Sequence, residues 1–405
     1  MVIHFFIDTS FPYGMAAAKR RLCYAKGLIA AGDQVKVHIC HKCFNKNEND
    51  GFPAKGIFEN IYYTYINGKY KRNNKILRKL DWNILDYIHS FFYSLREIKQ
   101  GEAIYVYMYP NFIQILLLIA AHIKKVKIVK ETCEHPMALG NSNSKWHKIC
   151  KWFEFKFIMP WYDGFIPISR SLNDFVNKYK KKTAQSIIVP ILVDEENINI
   201  DFKNLSSPYN VPYILHTGTM LEQKDSISKI IKIFAKYKKR YKSNLKLVFT
   251  GPQANEKCQY IPLMKRLEVR DDIELLGLVS VEKIAILQHF ASMSIIYKSD
   301  NLQTRNCFPT KLGEMLISGI PIITTSIGDT NLYLKDGVNA IIINPNDDEK
   351  FIEAIHSLLM NEVMSHKLGS EGKLVAKKYF NPIYQGKRLS KFFHQLYQYF
   401  GKFLP

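Results

Sequence analysis

The residues with most to offer chemically lie in the string NCFPTKLGEMLISGIPIITT, from Asn306 to Thr325. The spacing predicts a loop, a helix running from near Thr310 to Gly319, and a strand directly after it. Backbone N–H groups at the start of such a helix have no intrahelical acceptor, which suits them to phosphate or sugar oxygens. Glu314 lies one turn inside. A carboxylate there can accept two hydrogen bonds from vicinal hydroxyls of the kind a ribose presents. An exposed helix glutamate has the same spacing, so both readings stay open.

A second string, HTGTMLEQKD, covers His216 to Asp225. It predicts a strand ending at Gly218 and a helix beginning near Asp225. Lys224 then stands at a strand-to-helix turn, where an ammonium can neutralise a diphosphate; a solvated lysine fits the same place. A third string, FPYGMAAAKR, holds Gly14, where the backbone can approach a ligand closely, or simply turn. It is not a complete G-x-G-x-x-G. The pairs Asp271-Asp272 and Asp347-Asp348 read as helix or turn caps. Phosphate-loop, hydrolase-elbow and metal-site patterns are not found.

These residues must be placed by strands and helices, and the chain supplies them in alternation. VIHFFID, QVKVHIC, AIYVYMYP, VKIVKET, GFIPIS and SIIVPI read as strands in the first half, with a helix around Ile113 to His122 between two of them. A polar stretch, DEENINIDFKNLSSPYNVP, reads as a linker from Asp194. YILHTG, LKLVFTG, IELLG, SMSIIY, PIITTS and AIIINP follow as strands. The fold class expected is α/β: two Rossmann-like domains with parallel sheets facing a central cleft, ligands at the carboxyl ends of the strands. The domains are set at residues 1–200 and 205–380. A last amphipathic helix, within 382–405, is expected to pack back on the first. The 405 residues, 47% hydrophobic and 23% charged, are enough for two cores.

With those motifs in view, the chain resembles glycosyltransferase family 4, a large retaining family of GT-B fold, over most of its length and most strongly from Tyr213 to Pro345. That family carries an E-x7-E element. Glu314 matches the second glutamate, which the resemblance assigns to the donor ribose. Asn306 stands in the first position, where the family's glutamate contacts donor sugar hydroxyls; Asn306 can still hydrogen-bond a hydroxyl, without charge. FPTKLGEML is similar to the P-[ST]-K-L-x-E form of polysaccharide-building members, and implies that Cys307, Phe308, Pro309, Thr310 and Lys311 surround the sugar and phosphates. The family's diphosphate-binding lysine matches Lys224. Its arginine position, beside Gly218, is Thr219 here, and Lys298 or Arg305 is the expected replacement. Gly14 matches the first-loop glycine. ETCEHP, Glu131 to Pro136, resembles the place of a sugar-facing His or acid: His135 first, Glu134 second, Glu131 third. No general base is assigned, because front-face attack lets the departing phosphate accept the acceptor's proton. No cofactor is implied beyond a nucleotide-sugar substrate, UDP- or GDP-linked, and no metal.

The net charge of +21 asks for an anionic partner. Between Ile66 and Lys99 there are eight Lys or Arg against three acids. Beyond Asn141, Lys145, Lys148, Lys151 and Lys156 interleave with Trp146, Trp152, Phe153, Phe155, Phe157 and Trp161. That pattern suits an anionic membrane surface beside a glycan or lipid-linked acceptor, and equally a core helix with a solvated basic face. A nucleic-acid-binding protein, a GT-B epimerase and a non-catalytic relative are the competing readings; no nucleic-acid module is recognised. No run reaches the roughly 18 to 20 apolar residues of a membrane span. Seven irregularly spaced cysteines point to reduced thiols in the cytosol.

Overall fold

The computed structural model describes residues 1–14, 16–46, 51–108, 112–138, 144–195 and 200–398, apart from the side chains of Asn83, Trp146 and His147. The chain forms two compact units, residues 1–190 with 382–405, and residues 191–381.

In the first unit the strands are β1 (Val2–Ile7), β2 (Gln34–Ile39), β3 (Lys55–Phe58), β4 (Ile61–Tyr65), β5 (Ala103–Tyr107), β6 (Lys127–Thr132), β7 (Gly164–Pro167) and β8 (Gln185–Ser186). Their order is β3-β4-β2-β1-β5-β6-β7-β8, with β3 antiparallel to β4 and the other neighbours parallel. Strands such as VIHFFI are buried on both faces, as a parallel sheet covered by helices requires. Of the expected SIIVPI strand only Ser186 is regular, as the second residue of β8, although Ile187 and Val189 still donate to Phe165 O and Pro167 O. The β3–β4 hairpin escapes the sequence because its two-residue loop is Glu59-Asn60. Both have positive φ, 46° and 63°, a turn usually marked by Asn-Gly or Asp-Gly.

The helix Pro382–Gln398 completes this unit by packing on Ala16–Ala30. The approach is backbone to backbone: a Cβ on Gly27 would lie 2.1 Å from Pro382 O, and one on Gly386 2.1 Å from Gly27 C. Tyr397 receives Lys127 N at 3.0 Å and donates to Glu102 O. His394 meets Asp33 at 3.1 Å.

In the second unit the strands are β9 (Tyr213–Thr217), β10 (Lys246–Thr250), β11 (Ile273–Leu275), β12 (Met293–Ile296), β13 (Ile322–Thr325) and β14 (Ile341–Ile343). They are parallel, in the order β11-β10-β9-β12-β13-β14. Counted from β9 this is 3-2-1-4-5-6, the doubly wound nucleotide-binding order, whose switch point falls between β9 and β12. The helix Ile227–Tyr241 puts Ile230, Ile231, Phe234 and Tyr237 into the core and leaves its lysines outside. Val193 N donates to Phe380 O at 3.0 Å, which ties the start of this unit to its end.

Candidate active site

The switch point of the second unit carries a compact ionic cluster. After β9 the chain turns through Gly218 and Thr219, forms a short helical turn at Glu222–Asp225, passes left-handed Ser226 (φ 47°) and enters Ile227–Tyr241. Asp225 is buried at its centre. Lys298, just past β12, puts Nζ 2.9 Å from Asp225 Oδ1 and also donates to Lys224 O. Lys311, in the first turn of the helix Thr310–Ser318, puts Nζ 3.6 Å from Asp225 Oδ2. Thr219 Oγ1 donates to the same oxygen at 3.3 Å. Ser226 and Ser299 share a hydroxyl hydrogen bond of 2.7 Å, and the Lys298 backbone is held by Thr325 Oγ1. The loops after β9 and β12 and the last residue of β13 are thus fastened to one another at the carboxyl edge.

Two glycines make this packing possible. A Cβ on Gly218 would fall 1.7 Å from Lys311 Nζ, so the ammonium lies directly over the Gly218 backbone. A Cβ on Gly251, at φ +134°, would fall 1.7 Å from Gly218 O.

Burial opposes charge on Asp225, but Lys298 and Lys311 outweigh it and hold the carboxyl well below the usual range. Burial lowers Lys311 to about 8; Asp225 and Glu314 support its charge and Lys298 opposes it. About a quarter of the Lys311 side chain, 26%, still reaches solvent. His216, buried at the end of β9, is lowered to about 4, first by burial and then by Lys311. It is neutral at physiological pH and donates from Nδ1 to Ile295 O at 2.9 Å. The arrangement is two lysines, Lys298 and Lys311, with two carboxylates, Asp225 and Glu314, at the carboxyl edge of the sheet, and Lys224 adjoins it in the β9 turn. An incoming diphosphate can take over the lysine contacts now made by Asp225.

Of the sequence-predicted residues, Gly218, Thr219, Lys311 and Glu314 belong to this cluster, Glu314 through its charge on Lys311. Lys224 enters it through its carbonyl. Thr310 begins the helix, and Pro309 caps it without a side-chain bond. Phe308 is buried and packs edge-on against Tyr333 and Phe380, at 5.4 and 5.7 Å; it anchors the loop, leaving backbone for any ligand. Cys307 is half-buried, its thiol on Thr304 O. Asn306 is buried, and its amide turns back onto Leu302 O at 2.7 Å. Of the two proposed arginine replacements, Lys298 is in the cluster. Arg305 is exposed and paired with Asp300, 2.8 Å at Nη2, outside it. Sequence reasoning missed Asp225 and His216 as site groups. The sequence marks Asp225 only as a helix start, and the further signal it offers is the K-D pair closing the β9 turn.

In the first unit, Gly14 follows β1, and a Cβ there would meet Ser10 Oγ at 2.7 Å and Ala18 Cβ at 2.8 Å, so the position has no room for a side chain. Glu134 and His135 lie past the carboxyl end of β6. His135 Nδ1 accepts from Met137 N at 3.2 Å, which leaves the proton on Nε2; burial lowers its pKa, and the ring packs edge-on against Phe175. Glu131 is different. Buried and held by Arg20 Nε at 2.6 Å, Arg21 Nη2 at 2.7 Å and the Tyr105 hydroxyl, it is a structural ion pair and not a sugar-facing group.

Residues 197–375 match the family model described as glycosyl transferases group 1. Among solved structures, sucrose-phosphate synthase from Thermosynechococcus elongatus aligns over 98% of this chain and 99% of its own, with a TM-score of 0.72 at 14% identity. The Anabaena HepE protein, in complex with UDP-glucose, aligns over 97% and 99%, with a TM-score of 0.67 at 12% identity. A glycosyltransferase from Rickettsia africae gives 97%, 98%, 0.69 and 13%. No curated protein matches the sequence. Two sheets of nucleotide-binding strand order, matched end to end by these structures, make the fold GT-B. The protein is a glycosyltransferase of GT-B fold, and residues 197–375, within its second unit, carry the match to glycosyl transferases group 1.

Proposed function

We propose that this enzyme takes its sugar from a nucleotide-sugar donor, UDP- or GDP-linked. In our reading it transfers the sugar, with retention at the anomeric carbon, to a glycan or lipid-linked acceptor of surface polysaccharide biosynthesis. The observation that carries the reading is the lysine cluster around Asp225, with Lys311 Nζ over the Gly218 backbone at the strand-order switch point. HepE, similar in fold, was solved with UDP-glucose, which favours a nucleotide-sugar donor here.

In this reading Glu314 accepts from the donor ribose hydroxyls, and Lys224, Lys298 and Lys311 stabilise the negative charge that develops on the diphosphate as the sugar leaves. The bond from sugar to phosphate oxygen breaks, the bond from acceptor oxygen to anomeric carbon forms on the same face, and the acceptor's proton passes to the departing phosphate. Retention rests on the family resemblance, as do the sugar-facing roles of Asn306, His135 and Glu134. Positioning and charge stabilisation are the chain's main contributions.

The acceptor side is read as working at the cytosolic face of a membrane. No helix among the described residues is long and apolar enough to cross one. Trp152, Phe153, Phe157 and Trp161 are exposed beside exposed Lys145, Lys148 and Lys156, which supports a surface contact. Lys151 is not part of it, being buried against Glu154 at 2.9 Å.

A thermal-shift panel of UDP- and GDP-sugars tests the donor reading, since a ligand that binds the folded state stabilises it by mass action. The expected result is a shift with one nucleotide class that Glu314→Ala abolishes. A full shift in that variant would remove Glu314 from the site.

A further inference from the structure

The first unit carries a second basic site that the donor reading does not use. A pocket of about 460 Å³ opens where the chain leaves β2 and β4, at the carboxyl edge of the sheet. Lys42, Lys71, Lys75, Arg78 and Lys79 line it, with Trp82 as its aromatic wall. Two carboxylates, Asp81 and Asp86, also line it, but both are buried and already engaged. Lys42 Nζ lies 2.9 Å from Asp81 and 3.5 Å from Asp86. Arg72 Nε is 3.1 Å from Asp81, and His41 Nδ1 3.1 Å from Asp86. Among the described residues no carboxylate lies within ion-pair reach of Lys71, Lys75, Arg78 or Lys79. Trp82 is fixed by stacking on His41, centroids 3.9 Å apart. A rigid aromatic wall and a cationic lining on a supported floor suit a compact anion with several oxygens.

The flank of the pocket is apolar and uncovered. The helix Lys75–Leu80 buries none of its residues. It runs through a wide turn, Asp81–Leu85, into the helix Asp86–Glu97. Along this path Ile76, Leu80, Ile84, Ile88 and Phe92 recur at every fourth position and all are exposed, Ile76 by 78% and Phe92 by 63%. A run of large aliphatic side chains at helical spacing beside unpaired lysines gains nothing from water or from a nucleic acid, but it matches the boundary between phosphate heads and hydrocarbon.

We propose that this pocket binds the phosphate head of a membrane lipid, with the stripe from Ile76 to Phe92 set against the hydrocarbon. The proposal rests on the membrane-face reading above and gives it a specific lipid chemistry and a second location, apart from the segment 145–161. A phosphomonoester head is the best fit, since it exposes three oxygens on one atom to the lining cations.

The test is co-sedimentation of the full chain with vesicles of phosphatidylcholine alone, or with phosphatidic acid or phosphatidylglycerol added at matched charge. Binding is expected to be strongest with phosphatidic acid. The charge reversal Lys75→Glu/Arg78→Glu/Lys79→Glu is expected to weaken it about tenfold or more, since each cation near an anionic surface contributes appreciably. That helix buries none of its residues, so the melting temperature should hold and report an intact fold. Ile76→Ser/Ile84→Ser is expected to weaken binding to both anionic vesicles. Equal binding to the two acidic lipids, undiminished by the charge reversal, would leave a membrane contact but overturn the pocket. No sedimentation with any vesicle would overturn the membrane-face reading as well. Protection of the fold by inorganic pyrophosphate, with vesicles inert, would replace the lipid by a soluble phosphate. None of these outcomes touches the donor shift in the second unit.

Discussion

Glu131 in the first unit and Asp225 in the second are each a buried carboxylate set between two cations, and the two differ in what surrounds them. Glu131 in the first unit is enclosed by Arg20 and Arg21, with Arg20 also donating to Val189 O and the Tyr24 hydroxyl. All of its neighbours are buried, and Glu131 is lowered to about 2 by the two arginines against the push of burial. Asp225 in the second unit is equally buried, but its partners are lysines with side chains 12% and 26% exposed. A guanidinium offers a planar fork that fills fixed acceptors. An ammonium on a flexible stem can leave one anion for another. Sealed with arginine, the motif is a staple; left open with lysine on a strand edge, it suits the phosphate exchange proposed above.

The contrast is sharpest if Glu131 is removed. Glu131→Gln should cost about 3–5 kcal/mol, because two buried guanidinium groups lose their counter-charge, and the melting curve should show it with no added ligand. The staple is also acid-sensitive in a defined window. Its folded pKa is depressed, so its stabilisation is complete above the ordinary glutamate range and is lost as pH falls from about 4.5 toward about 2. Lys311→Met should do the reverse, leaving the melting temperature of the free protein nearly unchanged while weakening donor binding by about 1.5–3 kcal/mol, the range of a charge-assisted hydrogen bond. A variant with unchanged donor affinity would break the comparison. Asp225→Asn should destabilise by about 1–2 kcal/mol, less than Glu131→Gln, because its lysines can turn to water.

The smallest effect is in pH. Lys311 sits at about 8, below the ordinary lysine value, so its charge is lost as pH rises through 8 and the donor-induced shift should shrink there. The free protein should gain slightly in stability between about pH 8 and 10.5, since the unfolded chain binds the extra proton over that window. A donor shift flat from pH 7 to 9.5 would detach Lys311 from the diphosphate.

The strand pattern was legible because parallel strands buried on both faces are continuous apolar runs, and YILHT, KLVFT and IITT have few other interpretations. The helix Thr310–Ser318 and its glycine stop at Gly319, φ 80°, were equally readable. The hairpin Lys55–Tyr65 was not, since Glu-Asn is a poor label for a turn with positive φ. Nor was the helical stretch from Lys75 to Glu97, because its aliphatic stripe from Ile76 to Phe92 faces outward, and Tyr87 is its one buried large side chain among the described residues. For the site, Lys224 and Glu314 stand out by their places at a strand-to-helix turn and one turn inside a helix, and Thr219 only through the family resemblance. Asp225 was missed because its meaning comes from Lys298 and Lys311, which are 73 and 86 positions away in sequence, and only the sheet brings them to it.

The contact between Gly27 and Gly386 has a consequence for biosynthesis. The piece that closes the first unit emerges from the ribosome only after the whole of residues 191–381. The second unit is continuous in sequence and can mature while its neighbour still exposes the apolar groove left for Phe392, Phe393 and Leu396. A nascent chain stalled before residue 382 would therefore present a finished second unit and an incomplete first one, and chaperones would be expected to engage the earlier half of the polypeptide.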